Sequence, residues 1–137
     1  MTIAFHDQPE PALLERLSQA IRAFNRARWP AVERRPLALT IKDAGGELLA
    51  GIDGTTFGNW LFIDHLWVSE ALRGQGRGGE LLLAMEEAAR ARGCTRALLD
   101  TLDFQARPFY EHHGYRVAFT LNDYPLDGAR YYMTKAL

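Results

Sequence analysis

A single cysteine, Cys94, occurs in the 137 residues. An internal disulfide is therefore excluded, and no Cys/His spacing around it suits a metal, so no metal is expected. Long apolar runs are also missing: nothing approaches the roughly 18 consecutive apolar residues that a spanning helix needs. The start, Met1-Thr2-Ile3-Ala4-Phe5-His6-Asp7, has no basic stretch leading into an apolar one, so no signal peptide is expected. Excess charge of either sign is lacking, since 16 Lys and Arg face 17 Asp and Glu for a formal net charge of -1. Neither nucleic acid nor an anionic membrane is an expected partner on that balance. Repeats, low-complexity tracts and linkers are absent. The expectation is one cytoplasmic domain over residues 1–137, long enough to bury an apolar core without staples.

Hydrophobic periodicity supplies the elements. Thr2 to His6 reads as a short strand. Leu13, Leu14, Leu17, Ile21 and Phe24 recur at helical spacing, which predicts an amphipathic helix over about Ala12 to Arg28, broken by Trp29-Pro30. Leu37 to Lys42, Leu48 to Phe57 and Trp60 to Val68 read as three strands joined by the turns around Gly45-Gly46 and Gly58-Asn59, an antiparallel meander. Leu81, Leu82, Met85, Ala88 and Ala89 place a helix over Gly76 to Arg92, stopped at Gly93. A strand over Ala97 to Leu102, a short helix over Ala106 to His113, and strands over Tyr115 to Leu121 and Arg130 to Ala136 complete the chain. The strand-helix-strand unit from Trp60 to Leu102 requires one parallel pairing with a right-handed crossover. The sum is an α+β fold: a mixed, mostly antiparallel sheet of six to seven strands flanked by about four helices.

Between the third strand and the second long helix stands Arg73-Gly74-Gln75-Gly76-Arg77-Gly78-Gly79. Four glycines in six positions, 74 to 79, are a costly way to begin a helix, because each loses about 1 kcal/mol against alanine. Their use is that glycine lets backbone N–H groups close on an anion at the positive end of a helix dipole. Arg73 and Arg77 add charge at the same place. A Walker-type loop would need Gly-Lys-Ser/Thr, which is absent. The dinucleotide fingerprint is formally present as Gly74, Gly76 and Gly79, with Asp100 where a ribose-binding acid would stand. Against it, five residues separate Val68 from Gly74, three antiparallel strands come first, and 37 residues follow Asp100, too few for the remaining units of that fold.

The turn resembles that of the GCN5-related N-acetyltransferase (GNAT) superfamily. That family's coenzyme A motif, Arg/Gln-x-x-Gly-x-Gly/Ala, is filled in order by Arg73, Gly76 and Gly78, and a second family feature is matched by Ala106-Arg107-Pro108-Phe109-Tyr110-Glu111-His112-His113-Gly114-Tyr115. The resemblance, to small single-domain bacterial members, is strong over Trp60 to Tyr115 and loose outside it. It implies an enzyme that binds acetyl-CoA and moves the acetyl group onto an amine by direct attack through a tetrahedral intermediate. Carried over residue by residue, the coenzyme would meet Arg73, Gly74, Gln75, Gly76, Arg77 and Gly78, with Ala106 and Phe109 nearby. The strands Trp60 to Val68 and Ala97 to Leu102 would splay apart around the pantetheine arm, which bonds to the backbone of Trp67 and Val68. Tyr110 would protonate the departing sulfur. The family often has Asn seven residues before that tyrosine; here it is Asp103, which can accept from an amide but not donate to it while ionised.

For the amine's proton, Asp64 is the first candidate and His65 the second. A carboxylate in an apolar strand is expensive to bury unless it is paired or functional. Strict alternation sends Asp64 and His65 to opposite faces, so at most one reaches the cleft unless a bulge intervenes. The alternatives are that Asp64 simply pairs with a nearby arginine, and that a water relay takes the proton with no single base residue. The acceptor is expected to be a small-molecule or peptide amine, with the loop Tyr124 to Gly128 a candidate border of its site and the C-terminal strands a candidate homodimer edge. The alternative function is a non-catalytic sensor that binds an acyl-CoA in the same cleft.

Overall fold

Asp43 closes the first hairpin. Its carboxylate accepts from the amides of Gly45 and Glu47, each at 2.9 Å, so β1 (Arg34–Lys42) turns directly into β2 (Leu48–Phe57). β3 (Trp60–Val68) follows after Gly58-Asn59, and a single 3₁₀ turn, Glu70–Leu72, leads to α2 (Arg77–Ala91). β4 (Arg96–Leu102), α3 (Arg107–His112), β5 (Arg116–Asn122) and β6 (Ala129–Ala136) complete the order, while α1 (Pro11–Arg26) stands first. These elements come from a computed structural model that describes residues 1–137.

The six strands form one sheet in the order β1-β2-β3-β4-β6-β5. Every neighbouring pair is antiparallel except β3 and β4, because α2 carries the chain back to the starting end of the sheet. On one face Ala50, Ile52, Leu61, Ile63, Ala97, Leu99 and Met133 meet Leu81, Leu82, Met85 and Ala89 of α2 in one buried cluster. Cys94 packs into it at 3% exposure, and burial pushes its thiol pKa up. One acid sits inside this core. Glu86 is fully buried and accepts from Tyr115 at 2.8 Å and from Lys135 at 2.7 Å.

The chain divides into two compact units, Met1–Val32 and Glu33–Leu137. In the first, Pro11 starts α1 at a position where a missing N–H costs nothing. Leu14, Leu17, Ile21 and Phe24 form an exposed apolar stripe along it. Arg28 donates to the Phe24 carbonyl at 3.0 Å and lies over its ring. Thr2 to His6 is not a strand. Ile3 and Phe5, its two large apolar side chains, are exposed, and a five-residue run without a paired neighbour cannot offset its ordering entropy. Six strands, three α-helices and a one-turn helix are therefore the full set. No helix is long and apolar enough to cross a membrane.

Candidate active site

The site lies within Glu33–Leu137, where β3 and β4 part. These strands pair from Trp60, Leu61 and Phe62 to Arg96, Ala97 and Leu98, and go no further. Beyond that point a cavity of about 370 Å³ opens between them, walled by Asp64 to Trp67 of β3, Asp100 and Thr101 of β4, and Gln105, Ala106 and Tyr110. A second space of about 500 Å³ adjoins it and shares Asp64, His65, Asp100 and Gln105, adding Leu102, Tyr124 and Arg130. The splay expected between these strands is present, and the loop at Tyr124 borders it.

A bulge shapes the β3 wall. Across β2, Asp53 faces His65 and Gly54 faces Ile63, which leaves Asp64 as the extra residue. Gly54 makes this possible, because a Cβ there would strike the Phe62 carbonyl oxygen. The period of two slips by one at Asp64, so Leu61 and Ile63 before it and Leu66 and Val68 after it all pack toward the core. Asp64 and His65 consequently line the same cavity, where unbroken alternation would have separated them. Asp64 is exposed and makes no ion pair. The His65 Nδ1 lies 2.9 Å from Asp53 Oδ1.

The glycine turn has the geometry of an anion cradle. The amide of Arg73 bonds to the Glu70 carbonyl and that of Glu80 to the Gly76 carbonyl, but the six amides from Gly74 to Gly79 have no acceptor within the protein. Gly74 and Gly76 sit at φ 77 and 76, and a Cβ on either would meet nothing within 4 Å. Open space and unpaired N–H groups at the head of a 15-residue helix are what a phosphate group needs. The side chains of the turn are already engaged. The Arg73 Nε donates to the Val68 carbonyl at 3.2 Å, Gln75 Nε2 to the Ala71 carbonyl at 3.1 Å, and Arg77 to Glu80 at 2.9 Å. The Val68 carbonyl is thus taken by Arg73, while Trp67, half exposed, lines the cavity.

α3 brings Tyr110 to this cleft. Phe109 packs against the turn, close enough that a Cβ at Gly78 would lie 3.6 Å from its Cζ. It also stacks edge-on with Tyr110 at 5.2 Å and against His113 at 4.6 Å. The Tyr110 ring is 92% buried, being 8% exposed, and its hydroxyl makes no hydrogen bond within the protein. Burial raises its pKa, and the Asp100 carboxylate raises it further, so it stays protonated at neutral pH. His112 and His113 contribute nothing to the cavity wall; the His113 Nδ1 lies 2.9 Å from the Phe109 carbonyl.

Asp103 lies against Gly128 rather than in the cavity wall. The side-chain amide at the cavity belongs to Gln105. Its Oε1 accepts from the Leu102 amide at 2.9 Å and from Thr101 at 3.3 Å, which leaves its NH₂ group without a protein partner. At the far side Arg130 donates to Asp100 at 2.9 Å and to Tyr124 at 2.8 Å, and the bond to Asp100 raises its pKa further. Asp53, Gln105 and Arg130 are residues at the site that the sequence reading does not single out, and Asp100, weighed there only as a ribose-binding acid, lines both cavities. For Asp53 a signal existed, since a glycine inside a strand pattern, here Gly54, marks a bulge and its partner residues. No cluster of three or more His, Cys, Asp or Glu side chains is arranged to hold a metal.

Residues 4–115 match the model of the acetyltransferase (GNAT) family. The chain is 41% identical to a blasticidin-S acetyltransferase of Streptomyces morookaense, over 79% of this chain and 81% of that one. It is 40% identical to an acetyltransferase of Agrobacterium fabrum, over 68% of each. The crystal structure of an acetyltransferase from Bacillus cereus superposes with a TM-score of 0.89 at 29% identity, covering 98% of both chains. The parted strands, the unpaired amides and these relationships agree: the chain belongs to the GNAT family and is an N-acetyltransferase.

Proposed function

We propose that the protein takes an acetyl group from acetyl-CoA and transfers it to a primary amine of a small molecule. The observation that carries this reading is the run of six unpaired amides, Gly74 to Gly79, at the head of α2. It supports a pyrophosphate seat there, with the pantetheine arm running into the gap between β3 and β4 and the thioester beside Tyr110. The free edge of β3 at Leu66 to Val68 supplies backbone N–H groups for the oxyanion. Gln105 stands where its NH₂ can donate to the arm.

In the reaction an ammonium group first loses a proton. The neutral amine attacks the thioester carbon, forming the C–N bond and a tetrahedral oxyanion. The nitrogen gives up a second proton, the C–S bond breaks, and the thiolate takes a proton from Tyr110. The net products are an amide, coenzyme A thiol and one proton released to water. Asp64 and His65 are the two proton-accepting groups that the bulge brings to the cavity wall. The adjoining space of about 500 Å³ suits a small-molecule acceptor rather than a folded protein. The unpaired carboxylate of Asp64 favours a cationic one. Blasticidin S, named for a relative 41% identical, is the first acceptor to try.

The test is thiol release from acetyl-CoA with blasticidin S and a panel of primary amines, run beside calorimetric titration with acetyl-CoA. The reading requires micromolar-range binding and amine-dependent thiol release. Binding with no release for any amine would support a sensor instead, and no binding would remove the reading altogether.

A further inference from the structure

We infer that His65, held by Asp53, is the group that takes the proton from the acceptor amine, while Asp64 draws the cationic amine in. This rests on the proposed acetyl transfer and assigns within it a division of labour between adjacent side chains. The bulge creates the arrangement. By leaving Asp64 unpaired, it sets His65 directly opposite Asp53 across the β2–β3 ladder, with Nδ1 and Oδ1 2.9 Å apart. An ionised carboxylate can only accept, so Nδ1 carries the hydrogen and donates. The neutral tautomer is thereby fixed with Nε2 bare. Nε2 has no partner within the protein, and His65 lines both cavities. Its side chain is largely exposed, and Asp53 is its hydrogen-bond partner.

The chemistry separates the two candidates. The bare Nε2 of a neutral imidazole is a general base for a proton leaving an amine. A carboxylate is a poor acceptor for an ammonium proton but an effective counter-charge for it. The other groups facing His65 are Asp53 on β2, Asp64 on β3, Asp100 on β4, Tyr110 on α3, Tyr124 in the β5–β6 loop and Arg130 on β6. Arg130 and Asp100 are committed to each other at 2.9 Å. His65 accepts the first proton leaving the amine and passes it to water, while Tyr110 supplies the proton for the thiolate and is restored by the second proton that the nitrogen loses. Asp53 touches neither substrate and is a positioning residue.

The experiment is the pH profile of kcat/KM with acetyl-CoA and blasticidin S, or the best amine of the panel, for the wild type, H65Q, D53N and D64N. Acetyl-CoA affinity is measured by calorimetry on each. The wild type should show a rate that rises with pH to a plateau. H65Q should lose about 10²-fold or more near neutrality, and its rising limb should move to alkaline pH, where free amine is abundant. Imidazole added to H65A should restore part of the rate, which a structural role would not allow. D53N should lose about tenfold in kcat with the limb retained. D64N should raise KM for the amine and leave the limb in place. All four proteins should bind acetyl-CoA equally. An H65Q enzyme within threefold of wild type at every pH, or displacement of the limb in D64N instead, overturns the assignment alone. A wild type that binds no acetyl-CoA, or acetylates no amine, overturns the underlying reading as well.

Discussion

The Nε–H of Arg73 donates to the carbonyl of Val68 at 3.2 Å, clipping the start of the glycine turn to the last residue of β3. The strand that walls the cleft and the glycine-rich loop are therefore one unit. Replacing Arg73 with alanine frees the Val68 carbonyl and removes a cation from the cradle. Affinity for acetyl-CoA should fall about tenfold, the equivalent of about 1.4 kcal/mol, measured by calorimetry. Lysine at the same position restores the charge without the planar guanidinium and should recover only part of the loss.

Gly76 caps α2 at φ 76 with nothing near the position of a Cβ. A Gly76→Ala variant meets no clash, so its whole cost is the left-handed backbone, about 1–2 kcal/mol. Either stability falls by that amount, or the turn relaxes and its amides turn away from the cradle. Chemical denaturation together with acetyl-CoA titration should find the sum of the two losses near that figure.

How much of this was legible in the sequence depends on the range of the forces involved. The glycine turn, the meander and the β3-α2-β4 crossover follow from local spacing, and each stands close to where it was read, β1 alone beginning three residues earlier, at Arg34. Asp64 and His65 sharing a wall was not legible, because it hangs on a bulge set by a Gly54 that lies ten residues away, on the neighbouring strand. Asp53 becomes a partner of His65 only through that register. Gln105 replaces Asp103 at the cavity because the chain turns between β4 and α3, where Asp103 points at Gly128. The Thr2 to His6 strand failed for the opposite reason: local pattern with no partner.

Tyr110 should act as a donor across the working pH range. Burial and then Asp100 raise its pKa above the usual tyrosine range, so its ionisation should not limit the rate below about pH 10. Tyr110→Phe should lower kcat by about 10²-fold while leaving acetyl-CoA affinity within twofold, as steady-state kinetics and calorimetry can read. A phenylalanine enzyme with normal kcat would assign the thiolate's proton to water.

The buried Glu86 makes the core sensitive to alkali. Tyr115 donates to it at 2.8 Å, and burial, reinforced by the Glu86 charge, pushes the Tyr115 pKa well up. The folded protein keeps that proton while the unfolded chain releases its own near pH 10. Stability is therefore held below that pH and declines as pH rises above it. Tyr115→Phe removes the titration but leaves one Glu86 oxygen unpaired, at a cost of about 1–3 kcal/mol. Denaturation at pH 7 and pH 11 should show the variant less stable than wild type at the lower pH and the gap narrowed at the higher.

The most direct measurement follows the backbone amide resonances of ¹⁵N-labelled protein during titration with acetyl-CoA. If the cradle seats the pyrophosphate, the amides of Gly74, Gln75, Gly76, Arg77, Gly78 and Gly79 move together with one saturation curve and gain protection from exchange. Saturable binding that leaves those six resonances unmoved would contradict the account.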